Sequence, residues 1–94
     1  MPRTLQESTI FKKDRKRIQG SGRYNWQKIR DVVNDLMNDI PLPPARLDHP
    51  LKGVWLGARE CHIEADWLLI YKKDGNSQNG ILTVIRTGSH SDLF

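Results

Sequence analysis

Two strand-like runs, Arg59-Glu60-Cys61-His62-Ile63-Glu64 and Trp67-Leu68-Leu69-Ile70-Tyr71-Lys72, are separated by only Ala65 and Asp66. Two intervening residues dictate a tight hairpin, and a tight hairpin fixes the pairing register. Glu64 is then expected opposite Trp67, Ile63 opposite Leu68, His62 opposite Leu69, Cys61 opposite Ile70 and Glu60 opposite Tyr71. Side chains alternate faces along a strand. Cys61, Ile63, Leu68 and Ile70 should therefore form an apolar core face, with Glu60, His62, Glu64, Trp67, Leu69 and Tyr71 on the other. The second face mixes an imidazole and carboxylates with aromatic bodies, the composition of a binding surface. His62 points into it in this reading, and Asp66 sits at its rim.

The rest of the chain supplies cover for such a hairpin. Arg3 to Glu7 reads as a short strand, and Ser8 as the N-cap of a helix through about Gln19 that offers Ile10, Phe11 and Ile18 for burial. Gly20-Ser21-Gly22 ends it. A second helix carries Trp26, Ile29, Val33, Leu36, Met37 and Ile40 at the three-and-four spacing of one apolar face. Pro41, Pro43 and Pro44 stop that helix, and an extended loop to about Trp55 delivers His49. After the polar turn from Asp74 to Gly80, Ile81 to Thr87 is the last strand. If Ile81, Thr83 and Ile85 face the helices, Leu82, Val84 and Arg86 share the His62 face. Gly88 breaks the strand, and Ser89 caps a final turn that holds His90 and ends at Leu93-Phe94. The expected fold is α+β: one domain over 1–94, with a short N-terminal strand and two helices packed on one face of an antiparallel meander. A short C-terminal helical turn completes it.

Ninety-four residues suffice for one modest core. Fifteen Lys plus Arg against eleven Asp plus Glu give a net charge of +4, and the excess lies before Arg46. Its densest part is Lys12, Lys13, Arg15, Lys16 and Arg17, interrupted only by Asp14. A basic cluster set apart from a neutral, histidine-bearing half suggests polyanion docking in one place and chemistry in another, against the plainer reading of a solvated helix face. The single cysteine, Cys61, excludes a disulfide framework and fits a reducing, cytoplasmic setting. No apolar run approaches the roughly 20 residues that span a bilayer, and the N-terminus lacks a signal peptide's apolar core. A soluble protein with no membrane partner is expected.

All three histidines, His49, His62 and His90, lie in the second half with Asp66. Imidazole takes and gives protons near neutral pH, so two of them flanking a phosphodiester can cut RNA without a metal. One removes the 2′-hydroxyl proton and the other protonates the departing 5′-oxygen. Arg86 could stabilise charge on the phosphate, Asp66 could orient a histidine or raise its pKa, and Trp67 or Phe94 could stack on a base. Three plainer readings compete. Each histidine could be surface decoration; His49, His62, Asp66 and His90 could ligate zinc, although their spacing matches no compact ligand signature; and Trp55, Trp67, Tyr71 and Phe94 could simply be packing.

The motifs Asp48-His49-Pro50-Leu51-Lys52-Gly53-Val54-Trp55, Arg59 through Lys72 and Arg86-Thr87-Gly88-Ser89-His90-Ser91-Asp92-Leu93-Phe94 closely resemble the YafQ branch of the RelE/ParE toxin superfamily. The resemblance implies a type II toxin that cuts messenger RNA in the ribosomal A site. It places the family's functional positions on His49, His62, Asp66, Trp67, His90 and Phe94, with Arg86 at a basic position near the scissile phosphate. His90 with His49 or His62 would be the working pair, and no metal or cofactor is expected. The basic first helix would dock ribosomal RNA. A cognate DinJ-like antitoxin would hold the toxin inactive in a hetero-oligomer, its disordered segment folding over the surface. Departures are a longer Asp74–Gly80 turn and the extra carboxylate of Asp92 beside His90. A relative on the same fold that binds DNA gyrase without catalysis, and a ribonuclease that needs no ribosome, are the rivals.

Overall fold

The computed structural model describes residues 3–76 and 78–94; Ser77, in the expected polar turn, lies outside them. The elements run β1 (Thr4–Glu7), α1 (Thr9–Ser21), α2 (Trp26–Met37), β2 (His49–Pro50), β3 (Arg59–Glu64), β4 (Trp67–Asp74), β5 (Ile81–Gly88) and α3 (His90–Leu93), with 3-10 turns at Pro44–Arg46 and Gly53–Trp55. The expected α+β layering is present. The sheet is larger than a meander: five strands in the order β1-β5-β4-β3-β2, with β1 parallel to β5 and the other pairs antiparallel. His49, expected on a loop, sits on the edge strand β2 opposite Glu60.

Both helices begin at the residues whose side chains cap them. Ser8 accepts from the Phe11 amide and Asn25 from that of Gln27, satisfying donors that a helix start leaves free. Gly22, at φ 69°, ends α1 in the left-handed conformation that glycine adopts without strain. The buried stripes differ from expectation at their margins. On α1, Phe11, Asp14 and Ile18 are buried while Ile10 is half exposed. On α2, Val32 joins Ile29 and Leu36, and Ile40 lies beyond the helix end and is exposed.

The hairpin closes as expected, Glu64 opposite Trp67, but the next pair is His62 with Leu68. Ile63 is thus an extra residue, a β-bulge, and a one-residue slip sends every following side chain of β4 to the other face. Trp67, Leu69 and Tyr71 therefore join Cys61 and Ile63 under the helices, with Phe11, Ile18, Ile29, Val32, Leu36, Leu82 and Val84 completing that core. Leu68 and Ile70 move to the His62 face, where Ala58, Leu93, Leu51, Trp55 and Ile85 pack on them. A second bulge at β4–β5 pairs Ile70 with Arg86 and Tyr71 with Val84. Leu82 and Val84 consequently face the helices, the reverse of the expected arrangement.

Arg3 ties the chain's start to its middle. It is 6% exposed, pairs with Asp39 at 3.2 Å and donates to the carbonyls of Asp74 and Gly75 at 2.8 and 2.9 Å. Among the described residues, no helix is long and apolar enough to cross a membrane.

The observed registers set different costs for two apolar truncations. Leu69→Ala, at a position with no exposure, should lose about 2–5 kcal/mol. Ile10→Ala, at a half-exposed position, should lose less than about 0.5 kcal/mol. Urea unfolding of the two variants measures both; equal losses would contradict the α1 stripe.

Candidate active site

The bulge leaves His62 on the face opposite the helices, 14% exposed, with Nε2 3.6 Å from the Glu60 carboxylate. Both residues lie on β3, two apart, so they share a face. Arg46 secures the bulge by donating to the Ile63 carbonyl at 2.6 Å and more weakly to that of His62.

His90 opens α3 and meets His62 from above. Their rings lie 5.6 Å apart between centroids, edge to face. Ser89 caps this turn and Asp92 reciprocates, a capping box that fixes where His90 starts. Asp66, in the β3–β4 turn, completes the arrangement. Its Oδ1 accepts from the His90 backbone amide at 3.0 Å and lies 2.8 Å from His90 Nδ1. A carboxylate only accepts, so His90 Nδ1 carries the proton and Nε2 is presented outward. The His90 amide, followed by its imidazole, holds the Asp66 carboxyl below its ordinary range.

His49 is exposed, and its Nδ1 donates to the Leu47 carbonyl at 2.7 Å, leaving Nε2 without a partner among the described residues. The residue before it is anchored: Asp48 accepts from Tyr71 Oη at 2.7 Å and from Arg59 at 3.2 Å. Pairing across β2 and β3 places His49 opposite Glu60, at the border of the His62–His90 pair.

The other expected site residues divide. Phe94 is 62% exposed and offers a ring face. Trp67 does not: it is 1% exposed, donates to Thr87 Oγ1 at 2.8 Å and packs on Tyr24 and Trp26. The expected base-stacking role does not suit an enclosed ring, and the bulge is the cause. Arg86 shares the His62 face by register, while its guanidinium pairs with Asp14 at 3.1 Å. In the basic run, Arg15 pairs with Glu7, and Arg17 pairs with Asp14 and Asp92. Lys12, Lys13 and Lys16 are exposed without an ion-pair partner among the described residues. Cys61 is buried under the helices, and burial pushes its thiol up to about 12, which removes it as a nucleophile at neutral pH.

Glu60 is the site residue that sequence reasoning passed over as part of a face. It is 5% exposed, and with His62 and His90 it sets three ligand-type atoms within 4.8 Å of one another. One carboxylate and two imidazoles suit a zinc-like ion. This trio differs from the set weighed from sequence, since Glu60 takes the place of His49 and Asp66. The signal was the alternation Glu60-Cys61-His62, which puts the two polar groups side by side.

The family model for YafQ, a bacterial toxin of type II toxin–antitoxin systems, matches residues 3–94. The mRNA interferase toxin YafQ of Escherichia coli strain K12 is 38% identical over 93 residues, covering 98% of this chain and 96% of that protein. Among solved structures, the E. coli DinJ–YafQ toxin–antitoxin complex matches with a TM-score of 0.85 at 37% identity, covering 100% of this chain and 99% of that one. A metal-bound toxin from Helicobacter pylori matches with a TM-score of 0.85 at 38% identity over the whole of both chains. The chain belongs to the YafQ family of bacterial type II toxin–antitoxin toxins.

Proposed function

We propose that this toxin is an endoribonuclease that cuts messenger RNA in the ribosomal A site by acid–base chemistry without a metal. The observation that carries the reading is the edge-to-face pair of His62 and His90, 5.6 Å apart, with His90 oriented by Asp66. One neutral imidazole takes the proton of the ribose 2′-hydroxyl as that oxygen bonds to the adjacent phosphorus. The bond from phosphorus to the 5′-oxygen breaks, and the other imidazole, protonated, gives that oxygen its proton. A 2′,3′-cyclic phosphate and a 5′-hydroxyl result. Arg86 lies on the same face to meet charge on the phosphate oxygens, His49 flanks the pair, and Phe94 provides a surface for a base. The name of the E. coli relative, mRNA interferase, supports messenger RNA as the target.

Lys12, Lys13 and Lys16 form the docking edge for ribosomal RNA phosphates, acting in the cytoplasm where ribosomes are. A DinJ-like antitoxin is the inhibitory partner, on the precedent of the solved complex of the E. coli relative. The Glu60–His62–His90 trio also supports a second reading of the same residues, as a divalent-ion site. The toxin from H. pylori is solved with metal bound. An ion there would occupy the nitrogens that proton transfer needs free.

Cleavage of one defined messenger RNA, mapped at nucleotide resolution, tests the proposal. Cutting is expected only with programmed ribosomes and in codon register, with EDTA leaving the rate unchanged and added zinc lowering it. His90→Gln should slow it by about 10²- to 10⁴-fold. Cell arrest without cutting would instead favour a toxin that acts by binding alone.

Replacing Lys12, Lys13 and Lys16 by Gln should reduce the salt dependence of ribosome binding, by roughly one unit of slope for each phosphate no longer neutralised. An unchanged slope would return α1 to a solvated face.

The Asp66–His90 pair has its own pH signature. A carboxyl with a depressed folded-state pKa adds stability above its unfolded value, and that stability is lost as pH falls through the folded value. Carboxylate NMR should place the Asp66 midpoint below 3.8, the ordinary value. In His90→Ala the backbone amide remains, so the midpoint should still lie below 3.8, though by less. An ordinary midpoint in the unmodified protein would mean that the pair does not form in solution.

A further inference from the structure

Helix α1 buries one stripe, and its members at three-and-four spacing are Phe11, Asp14 and Ile18. A carboxylate thus stands in the middle of an apolar row at 4% exposure. Burying an unpaired charge is strongly unfavourable, so the groups that meet this one define what it is there to hold.

Asp14 Oδ2 accepts from Arg86 Nε at 3.1 Å and from the Thr87 backbone amide at 3.2 Å. Oδ1 accepts from Arg86 Nη2 at 3.1 Å and from Arg17 Nη2 at 3.3 Å. Two parallel bonds from one guanidinium edge to one carboxylate are the geometry that fixes an arginine in orientation as well as in place. The opposite edge of that guanidinium, at Nη1, has no partner among the described residues. Register then says where Arg86 starts: it pairs with Ile70, which shares a cluster with Leu68, the partner of His62. Cross-strand partners share a face.

The same carboxylate reaches α3 through Arg17, whose Nη1 donates to Asp92 Oδ2 at 3.1 Å. Asp92 is the residue that closes the capping box of the turn carrying His90. The junction is tight, since a Cβ added at Gly88 would stand 2.9 Å from Asp92 Oδ2 and 3.1 Å from Arg17 Nη2.

We propose that Asp14 is a positioning residue for RNA cleavage: from inside α1 it grips the Nε–Nη2 edge of Arg86 and directs the remaining edge to the face that carries His62 and His90. The inference rests on the reading of Arg86 as the cation that meets the scissile phosphate. An arginine loosely held would have to be ordered in each turnover. Held by Asp14, it is set before the substrate arrives.

The test is a double-mutant cycle in single-turnover cleavage on programmed ribosomes, with the full chain, each variant first checked for folding by circular dichroism. Asp14→Asn should slow cleavage by about 10- to 100-fold. Arg86→Ala should slow it at least as much, and adding Asp14→Asn to Arg86→Ala should change the rate by less than about twofold. Equal losses in the two backgrounds, or a wild-type rate in Asp14→Asn, would overturn the positioning role while leaving the nuclease reading intact. A wild-type rate in Arg86→Ala would remove Arg86 from the reaction, and Asp14 with it. Should Asp14→Asn not fold, Arg86→Ala keeps the seat built by Asp14, and millimolar methylguanidinium should restore part of its rate saturably. No restoration would count against a preformed seat.

Discussion

The bulge at Ile63 decides the character of both faces of the sheet. With regular pairing, Trp67 and Tyr71 would stand beside His62, and Leu68 and Ile70 would face the helices. One extra residue exchanges the two sets. The large aromatics go under α1 and α2, where Trp67 is enclosed by Tyr24 and Trp26. The second face keeps His62 and Glu60 against a small aliphatic patch covered by α3 and the segment around Trp55. Arg46 holds the two carbonyls at the bulge, so a cation outside the site maintains the register that creates it.

On that face, the histidines are held by unlike means. His90 is fixed by a carboxylate from the hairpin turn and by the capped start of a short helix, both local devices joined at one oxygen of Asp66. His62 is largely buried on its strand with its ring beside Glu60 and His90, whereas His49 hangs from the edge strand by one bond to a carbonyl. The rings that meet are those of His62 and His90, the pair on which the proposed site rests.

The turns and caps were legible in the sequence because each depends on a few adjacent residues. Ser8, Ser89, the two-residue turn at Ala65-Asp66 and the histidine cluster all lie where local chemistry puts them. The bulge was not legible, because Ile63 carries no glycine or turn signal and the group that meets its carbonyl, the Arg46 guanidinium, is distant in sequence. The assignment of Trp67, Leu69 and Tyr71 to the wrong face followed from that one residue, and that of Leu82 and Val84 from the choice of face for β5, which the second bulge at β4–β5 reverses. Strand β1 was legible as a strand, but its parallel pairing with β5 was hidden, since four residues with little burial give no periodicity. Asp14 was visible only as an interruption in a basic run, although its place between Phe11 and Ile18 on the helix was already a statement that something charged would meet it inside.

That place also changes what the basic helix is. Counted as composition, the five cations from Lys12 to Arg17 form one patch. In three dimensions they divide by helical phase: Lys12, Lys13 and Lys16 stay in water, while Arg15 and Arg17 turn to carboxylates. The division follows side-chain chemistry. A guanidinium satisfies several acceptors in a fixed plane and tolerates partial burial, whereas an ammonium keeps its hydration and serves as a mobile point charge for phosphates. The inner half of α1 is thus spent on the junction of β5 and α3, and the outer half remains for a polyanion. A single helix in this way carries an exposed lysine edge and, on its inner side, the contacts that tie it to β5 and α3, and those contacts meet at one buried carboxylate.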